Sequence, residues 1–243
     1  MTLKGKTALI TGGGSGIGLG IAAALAEHGC LTAISGRDRE KLQRAAAGCQ
    51  GPSPILTRAC DVADRADVRK LVAWAIGHLG HLDIVVNSAG INVLRRKMYE
   101  LDPADFDRVM AVNCTGFYNV LHSVLPGMRQ RGDGLIVNIS SVAGKRAFPI
   151  AGPAYCASKF AVTALGTAVG LEERANGIRI TNIYPGEVDT PILDQRPVPV
   201  PPEKKAQMVH PADIGQCVVA LAGLPRNVIV PELVITPLYQ DYM

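Results

Sequence analysis

The chain has 243 residues, 48% of them hydrophobic and 19% charged, and its formal net charge is +4. This composition is typical of one globular domain that can bury a core without disulfides or metals. Basic and acidic residues are mixed throughout, and no apolar run reaches the ~18 residues of a membrane span. We therefore expect neither nucleic-acid binding nor a transmembrane segment.

The cysteines indicate a reducing compartment. No two of them form a Cys-x-x-C pair, and no secretory signal pattern precedes the first strand-like run. The sequence therefore predicts a cytoplasmic protein with reduced thiols and no bound metal. The six positions are Cys30, Cys49, Cys60, Cys114, Cys156 and Cys217.

Strand-like and helical segments alternate along the chain. The first half predicts a strand at 7–10, a helix at 17–28, a strand at 31–35, a helix at 38–47, a strand at 54–59, a helix at 64–79 and a strand at 82–87. The second half predicts a long helix at 103–130, which Pro126 bends or ends, and a strand at 135–139. A helix at 154–175, a strand at 178–184, a helix at 211–222 and a strand at 228–235 follow.

This alternation predicts an α/β fold. Its spacing favours a single domain with a doubly wound, mostly parallel sheet, right-handed crossovers and helices on both faces, as in Rossmann-like proteins. Ligands of such sheets bind beyond the carboxyl ends of the strands.

One proline-rich stretch, residues 196–202, interrupts the alternation. Prolines at this density exclude a central strand or a helix interior. A disordered linker is one interpretation. Because the stretch lies inside the domain and not at a boundary, we expect a substrate-covering loop at about 190–208.

A glycine-rich loop, Thr-Gly-Gly-Gly-Ser-Gly-Ile-Gly at 11–18, follows the first strand and opens the first helix. Glycine lets the backbone turn tightly and approach a ligand, and a helix N-terminus offers N–H groups to a phosphate. The strand–loop–helix context predicts a dinucleotide site. Its candidate binding residues are Gly12, Gly14, Ser15, Gly16, Ile17 and Gly18.

Tyr155 and Lys159 are four residues apart in a predicted helix, so they share one face. A cation beside a phenol favours the phenolate and lowers the tyrosine pKa towards the working range. Such a pair can give a proton to a carbonyl oxygen or take one from an alcohol. By itself the pair could also be a chance surface contact.

The glycine-rich loop and the Tyr-x-x-x-Lys motif together resemble the short-chain dehydrogenase/reductases. Three further motifs are in register with that family. They are Asn87-Ser88-Ala89-Gly90 after the fourth strand, with Ser in place of a second Asn, Ser140-Ser141 after the fifth, and Pro185-Gly186 after the sixth. Asn113 falls where the family has a helix asparagine. The resemblance covers about residues 5–190 and 210–235.

The resemblance implies a catalytic role for four residues. Tyr155 would be the general acid in reduction and the base in oxidation, and Ser141 would hydrogen-bond the substrate oxygen, with Ser140 as the competing assignment. Lys159 would hold the nicotinamide ribose and depress the tyrosine pKa. Asn113 would distort its helix and hold a water that connects Lys159 to solvent, or it is an ordinary buried asparagine.

The end of the second strand bears on the choice of dinucleotide. NAD-selective family members usually have Asp where this chain has Gly36, and Arg37 beside it can pair with a 2′-phosphate. We therefore expect NADP(H) in preference to NAD(H), although Ser15 stands where many NADP-selective members carry a basic residue. The remaining cofactor contacts implied by the resemblance are Asp61, Val62, Asn87, Ala89, Gly90, Tyr155, Lys159, Pro185, Gly186, Val188 and Thr190.

The expected activity is hydride transfer between NADP(H) and a carbonyl or secondary alcohol of a small molecule. The C-terminal sequence lacks the Val-Asp-Gly-Gly ending of the fatty-acid-synthesis reductases, which argues against an acyl-carrier-protein substrate. Lys145 and Arg146 either face an anionic substrate or are solvated loop charges.

Two other functions are open to the same fold. One is a non-catalytic dinucleotide-binding interaction or redox-sensing module, which would not need the intact acid–base set. The other is an epimerase or dehydratase, whose usual larger substrate domain does not fit in 243 residues. The resemblance also implies a homo-oligomer, a tetramer or dimer, formed through helices near 105–130 and 155–175.

Overall fold

The computed structural model of the protein describes residues 2–241. Seven strands lie in this range: β1 (Thr7–Thr11), β2 (Leu31–Gly36), β3 (Leu56–Ala59), β4 (Ile84–Asn87), β5 (Gly134–Ile139), β6 (Ile178–Pro185) and β7 (Glu232–Ile235). The α-helices are α1 (Gly16–Glu27), α2 (Arg39–Ala47), α3 (Arg65–Leu79), α4 (Pro103–Met110), α5 (Gly116–Arg131), α6 (Pro153–Glu173), α7 (Pro202–Lys205) and α8 (Pro211–Ala222).

The strands form one sheet in the order β3-β2-β1-β4-β5-β6-β7. Every strand pair in the described part of the chain is parallel. The strand order reverses between β1 and β4, which is where doubly wound sheets open a crevice for ligands. The predicted fold class, a single-domain Rossmann-like α/β protein, is confirmed.

Alternate side chains of the central strands pack into two cores, one on each face of the sheet. In β1, Ala8 and Ile10 join the core that includes α1 and α8. Leu9, between them, joins the core that includes α3, α5 and α6. Because both faces are covered, the central strands are mostly apolar on both faces and the alternation cannot be seen in their hydropathy.

The long helix predicted at 103–130 is interrupted at a different place from the one predicted, Pro126. The chain forms α4, one π-helical turn at Ala111–Thr115 and then α5, which continues through Pro126 to Arg131. Pro126 is exposed, as is His122 one turn earlier, so solvent can satisfy the carbonyl group that proline leaves without an N–H partner. The interruption lies at Asn113 and not at the proline.

Three predicted strands are shorter in the structure. β3 begins at Leu56, β4 at Ile84 and β7 at Glu232. Before β4, the Asp83 carboxylate accepts a hydrogen bond from the Thr7 backbone N–H at 2.9 Å and so binds the chain to the start of β1. Ahead of β7, residues 225–228 form a turn in which the Val228 backbone N–H donates a hydrogen bond to Pro225 O.

Among the described residues, one helix, Pro153–Asn176, reaches the length and hydropathy of a membrane span. In this fold α6 packs against β6 and carries the buried polar side chains of Ser158 and Lys159. These are the properties of a core helix.

Buried asparagines connect the three strands beneath α6. Asn87, Asn138 and Asn182 are in register on β4, β5 and β6. Asn87 Nδ2 donates to Asn138 Oδ1 at 3.3 Å, and Asn138 Nδ2 donates to Asn182 Oδ1 at 2.9 Å. A Cβ at Gly166 of α6 would lie 2.8 Å from Asn138 Nδ2 and would also overlap Asn182 Oδ1. The missing side chain at Gly166 therefore lets α6 lie directly on these amides.

We expect Gly166→Ala to lower the free energy of unfolding by about 1–3 kcal/mol, because the added methyl overpacks a site of polar atoms that cannot move apart without losing hydrogen bonds. Gly127→Ala is the matched control, since Gly127 lies inside α5 with no atom within 4 Å of its added Cβ. It should stabilise the protein by about 0.5–1 kcal/mol. Denaturant unfolding of both variants measures the difference, and equal stability would contradict the packing argument.

Candidate active site

A cleft of about 770 Å³ opens beyond the carboxyl ends of β1, β4, β5 and β6. It runs from the glycine-rich loop to the N-terminal turn of α6, and segment 191–196 lines it as well, beginning at Pro191 beside Gly16 of the loop. The predicted site residues that line it are Gly12, Ser15, Gly16, Ile17, Gly18, Arg37, Gly90, Ser141, Tyr155, Lys159, Pro185, Gly186, Val188 and Thr190.

The glycine-rich loop fits a phosphate group. Gly12 has φ +67°, and a Cβ there would lie 2.9 Å from the Ala89 backbone, so only glycine allows the loop to pass this close to β4. At the start of α1, the Ser15 side chain makes no capping hydrogen bond and the first turn carries no acidic residue. The N–H groups of that turn and the positive end of the helix therefore face the cleft without a protein anion.

Two basic side chains lie beside the glycine-rich loop. Arg37 lines the cleft, is exposed, and makes no side-chain hydrogen bond or ion pair with any of residues 2–241. Lys41, four residues later in the first turn of α2, lines the same part of the cleft. Sequence reasoning missed Lys41, although its spacing from Arg37 and its place just after β2 are visible in the sequence.

Tyr155 and Lys159 enter the cleft from α6, with Lys159 Nζ 5.5 Å from the centre of the Tyr155 ring. Burial raises the pKa of Tyr155 to about 12, and the Ser141 hydroxyl and the Arg96 charge oppose this shift. Burial also lowers the pKa of Lys159 to about 8. Its ammonium donates to Ile139 O at 2.8 Å.

The Lys159 ammonium is not among the groups that lower the pKa of Tyr155 in the protein alone, so the predicted effect of Lys159 on that pKa stays a prediction. Desolvation of the phenol outweighs every charge near it, and the Lys159 ammonium is directed at a backbone carbonyl. The charges that do act on the phenol include Arg96, which lies far from it in sequence.

The two adjacent serines have different surroundings. Ser140 is buried, and its Oγ is bonded to Lys159 O at 3.1 Å and to the Thr163 hydroxyl at 3.1 Å. Ser141 Oγ accepts from Ala143 N–H at 3.1 Å and faces Tyr155. The geometry thus makes Ser140 a link between β5 and α6 and leaves Ser141 as the hydroxyl that can reach a substrate oxygen.

Asn113 lies in the π-helical turn and is buried. Its Oδ1 accepts from Ile91 N–H at 2.8 Å, and its Nδ2 donates to Ile91 O at 2.9 Å and to Ser158 Oγ at 3.0 Å. The distorted helix agrees with the expectation from the resemblance. The side chain is also fully hydrogen-bonded by protein, so both of its sequence-based interpretations fit this geometry.

Several predicted residues lie outside the cleft. A second cavity of about 10 Å³ behind it is lined by residues that include Val62, Asn87, Ala89, Asn113 and Lys159. Asn87 Oδ1 is buried there and has no hydrogen-bond partner among residues 2–241, which makes it an acceptor available to a ligand. Gly14 packs towards Leu42, and Asp61 accepts from Ala63 N–H at 3.0 Å, so neither lines the cleft.

The two ends of the segment expected to cover the substrate lie side by side. Val188 and Val209 form a parallel bridge, and the chain between them contains a 3-10 turn at Pro191–Gln195 and the short helix α7. The Glu187 carboxylate binds this segment. It accepts from Arg196 at 2.8 Å, from Lys204 at 3.0 Å and from the Tyr239 hydroxyl at 2.6 Å. One carboxylate thus joins both ends of the segment to the C-terminal tail.

We expect Glu187→Gln to loosen this segment and raise the substrate KM about tenfold, the equivalent of ~1.4 kcal/mol, because three charge-assisted bonds weaken together. Burial alone would raise the pKa of Glu187, but its bonds to Tyr239, Lys204 and Arg196 hold it at about 2. The contribution is full above an unfolded-state pKa of about 4.3 and is lost as the pH falls towards the folded value.

Limited proteolysis of residues 190–208 measures the loosening directly. Glu203→Gln is the matched control, because Glu203 lies in α7 of the same segment, is exposed and forms no salt bridge with any described residue. Equal protease sensitivity in the two variants would show that Glu187 does not hold the segment.

Of the two alternatives for Lys145 and Arg146, contact with an anionic substrate has no support from the cleft lining. Lys145 and Arg146 do not line the cleft: Lys145 Nζ pairs with Glu232 at 2.5 Å and lies over the Tyr184 ring. Arg96, missed by sequence reasoning, is buried in the cleft wall. Only its position in a basic run, Arg95-Arg96-Lys97, was visible in the sequence, and that run is otherwise exposed.

The fold and the cleft define a Rossmann-like oxidoreductase. The chain belongs to the short chain dehydrogenase family, whose model matches residues 6–198. A curated relative, the glycine betaine reductase ATRR of Emericella nidulans, is 36% identical in an alignment 245 residues long that covers 97% of this chain. The chain spans 19% of the length of that relative.

Solved structures resemble the protein over nearly its whole length. An alcohol dehydrogenase of the archaeon Thermococcus sibiricus, complexed with 5-hydroxy-NADP, has a TM-score of 0.86 at 28% identity, covering 98% of this chain and 99% of that one. A 3-ketoacyl-(acyl-carrier-protein) reductase of Brucella melitensis, complexed with NADH, has a TM-score of 0.85 at 28% identity, covering 97% and 98%.

Proposed function

We propose that the protein transfers a hydride between NADP(H) and a carbonyl or secondary alcohol of a small molecule. The observation that carries the proposal is the meeting of Tyr155, Ser141 and Lys159 in one cleft with an uncapped, acid-free helix N-terminus. A dinucleotide with its phosphates at that terminus reaches towards the three side chains, since all of them line the same cleft.

The bound nicotinamide supplies or accepts the hydride, and the protein supplies alignment and proton transfer. In reduction, the Tyr155 phenol donates its proton to the substrate oxygen and Ser141 Oγ hydrogen-bonds that oxygen as charge develops on it. A phenol with a pKa of about 12 is fully protonated at neutral pH, so the acid form needed for reduction is the resting form. In oxidation the phenol must first lose its proton, which the Ser141 hydroxyl and the Arg96 charge favour.

NADP(H) is proposed in preference to NAD(H) on three residues. Gly36 places no carboxylate where it would repel a 2′-phosphate, and Arg37 and Lys41 place two positive charges beside that position. The solved neighbours do not decide this choice, because one is complexed with 5-hydroxy-NADP and another with NADH.

Further features of the proposal concern location and assembly. The six cysteines are all free, which supports a cytoplasmic location for the protein.

Apolar side chains exposed on α4, α5 and α6 support assembly into a homo-oligomer, a tetramer or dimer. These side chains are Phe106, Tyr118, Phe160 and Leu171.

The direct test is a screen of ketones and aldehydes with NADPH and with NADH, followed by the loss of nicotinamide absorbance. Reduction of at least one carbonyl compound, faster with NADPH, is the expected result. NADPH binding by the pure protein without turnover of any carbonyl or alcohol would favour the alternative function, a non-catalytic dinucleotide-binding or redox-sensing module.

A further inference from the structure

Arg96 carries a buried guanidinium into the wall of the cleft. The residue is 5% exposed. Its Nε donates to Val93 O at 2.9 Å, its Nη1 donates to Ile150 O at 3.0 Å, and its Nη2 donates to Gln195 O. Three of its five N–H groups are thus used, and one remains on each terminal nitrogen.

No carboxylate compensates this charge. Among residues 2–241, none lies within salt-bridge distance of Arg96. The neighbouring Arg196 is paired with Glu187, and burial together with the Arg196 charge lowers the pKa of Arg96. A buried cation bonded only to backbone carbonyls is costly unless an anion joins it.

The backbone is shaped to hold Arg96 at this place. Gly152, just before α6, has φ +79°, and a Cβ there would lie 2.8 Å from Arg96 Cβ and 2.6 Å from Arg96 O. Three separate segments provide the carbonyl acceptors, at Val93, Ile150 and Gln195. A side chain held by three hydrogen bonds has little rotamer freedom left to lose when it binds a ligand.

Arg96 lies at the substrate end of the cleft. Its charge acts on the Tyr155 phenol, and its hydrogen-bond partners Ile150 and Gln195 line the same cleft as Tyr155. The dinucleotide end, with Arg37 and Lys41, is lined by other elements. The other charged residues that line the cleft are Lys159, the Glu187–Arg196 ion pair, Arg108, which is paired with Asp105, and the exposed Asp194.

We propose that Arg96 binds a carboxylate of the substrate, so that the substrates are small oxo acids and their hydroxy acids. Two N–H groups on adjacent nitrogens match the two oxygens of a planar carboxylate. This inference rests on the proposed function. The hydride passes to the carbonyl carbon, the Tyr155 proton passes to the carbonyl oxygen, and the carboxylate bound to Arg96 is unchanged.

The test compares pyruvate, acetoacetate and levulinate with their methyl esters, using NADPH and wild-type protein. At least one acid should have a kcat/KM about 10- to 100-fold above that of its ester, the range expected for hydrogen bonds to a charged group. Arg96→Met should bring the acid-to-ester ratio close to one. Arg96→Lys should keep part of the preference, because a point charge remains without the planar fork.

Arg95→Met is the matched control, since it removes the same charge from an exposed neighbour outside the cleft and should leave the ratio unchanged. Nicotinamide fluorescence of bound NADPH reports whether each variant is folded. Esters reduced as well as their acids in all three pairs would overturn the inference and leave the proposed function intact, whereas no carbonyl reduction at all would count against the proposed function.

A binding measurement tests Arg96 independently of turnover. In the presence of NADPH, butanoate should raise the Tm of wild-type protein more than butanamide does, and Arg96→Met, but not Arg95→Met, should abolish the difference. Equal shifts with both compounds, or a difference that survives in Arg96→Met, would overturn the inference. A response to inorganic phosphate but not to butanoate would also overturn it, in favour of a phosphorylated ligand.

Discussion

Tyr155→Phe should lower kcat for carbonyl reduction by about 10²- to 10⁴-fold, the usual contribution of a general acid. The substitution removes the hydroxyl that is proposed to protonate the substrate oxygen and keeps the ring that packs beside Lys159. NADPH should bind with nearly unchanged affinity, because the glycine-rich loop, Arg37 and Lys41 are at the other end of the cleft. Steady-state kinetics and NADPH titration by fluorescence give the two quantities.

Tyr118→Phe is the control for the loss of a phenolic hydroxyl, because Tyr118 lies on the exposed side of α5 and not in the cleft. Its kcat should match wild type. Turnover by Tyr155→Phe at a similar level would remove Tyr155 from the role of acid. A parallel loss of NADPH binding would point instead to a structural role for the phenol.

The same residue sets the pH dependence of the reverse reaction. Oxidation requires the phenolate, and the pKa of Tyr155 is raised to about 12, so the rate of alcohol oxidation should climb with pH for as long as the protein remains folded. Reduction requires the phenol, which stays protonated over that range. A plateau of oxidation near neutral pH would show that the bound cofactor or substrate lowers the pKa far below its value in the protein alone.

Most of the features that could be predicted from the sequence follow from local patterns. The glycine-rich loop and the Tyr155–Lys159 spacing each fall within one strand–loop–helix unit or one helix, where geometry follows from sequence separation. The strand order then brings the separate motifs together, because parallel strands end at the same edge. The fold class and the position of the cleft could therefore be inferred before any coordinates.

Long-range contacts account for what could not be predicted. Lys145 is paired with Glu232, which lies 87 residues further along the chain, and nothing near Lys145 in the sequence indicates that partner. In the sequence, Arg96 is part of a basic run that is expected to be exposed. Its burial depends on contacts with residues 150 and 195, which are distant along the chain. The pKa of Tyr155 depends on burial, which is a property of the whole fold.

Gly36, the last residue of β2, and Arg37, which follows it, are the subject of the second prediction with a large expected effect. A Cβ at Gly36 would meet only Leu42 Cδ2, at 3.6 Å, an ordinary contact, and its backbone does not need glycine. Glycine at this position is therefore not required by packing. An aspartate fits there, and its charge would lie where the 2′-phosphate of NADP(H) is proposed to bind.

Gly36→Asp combined with Arg37→Ala should reverse the cofactor preference. Like-charge repulsion and the loss of a charge-assisted bond together should lower kcat/KM for NADPH by at least about 100-fold, whereas NADH loses nothing and gains a carboxylate for its ribose hydroxyls. Arg37→Ala alone should weaken NADPH about 10- to 100-fold and NADH much less. Kinetics with each cofactor at a fixed carbonyl concentration measure both ratios.

Arg39→Ala is the matched control, because Arg39 is an exposed arginine at the start of α2 that does not line the cleft. It should leave both cofactors unaffected, which separates a specific contact from a general loss of positive charge. Equal weakening of NADPH and NADH by Arg37→Ala would mean that Arg37 does not contact the 2′-phosphate. Lys41 would then be the basic residue left to discriminate, and Lys41→Ala should show the NADPH-specific loss in its place.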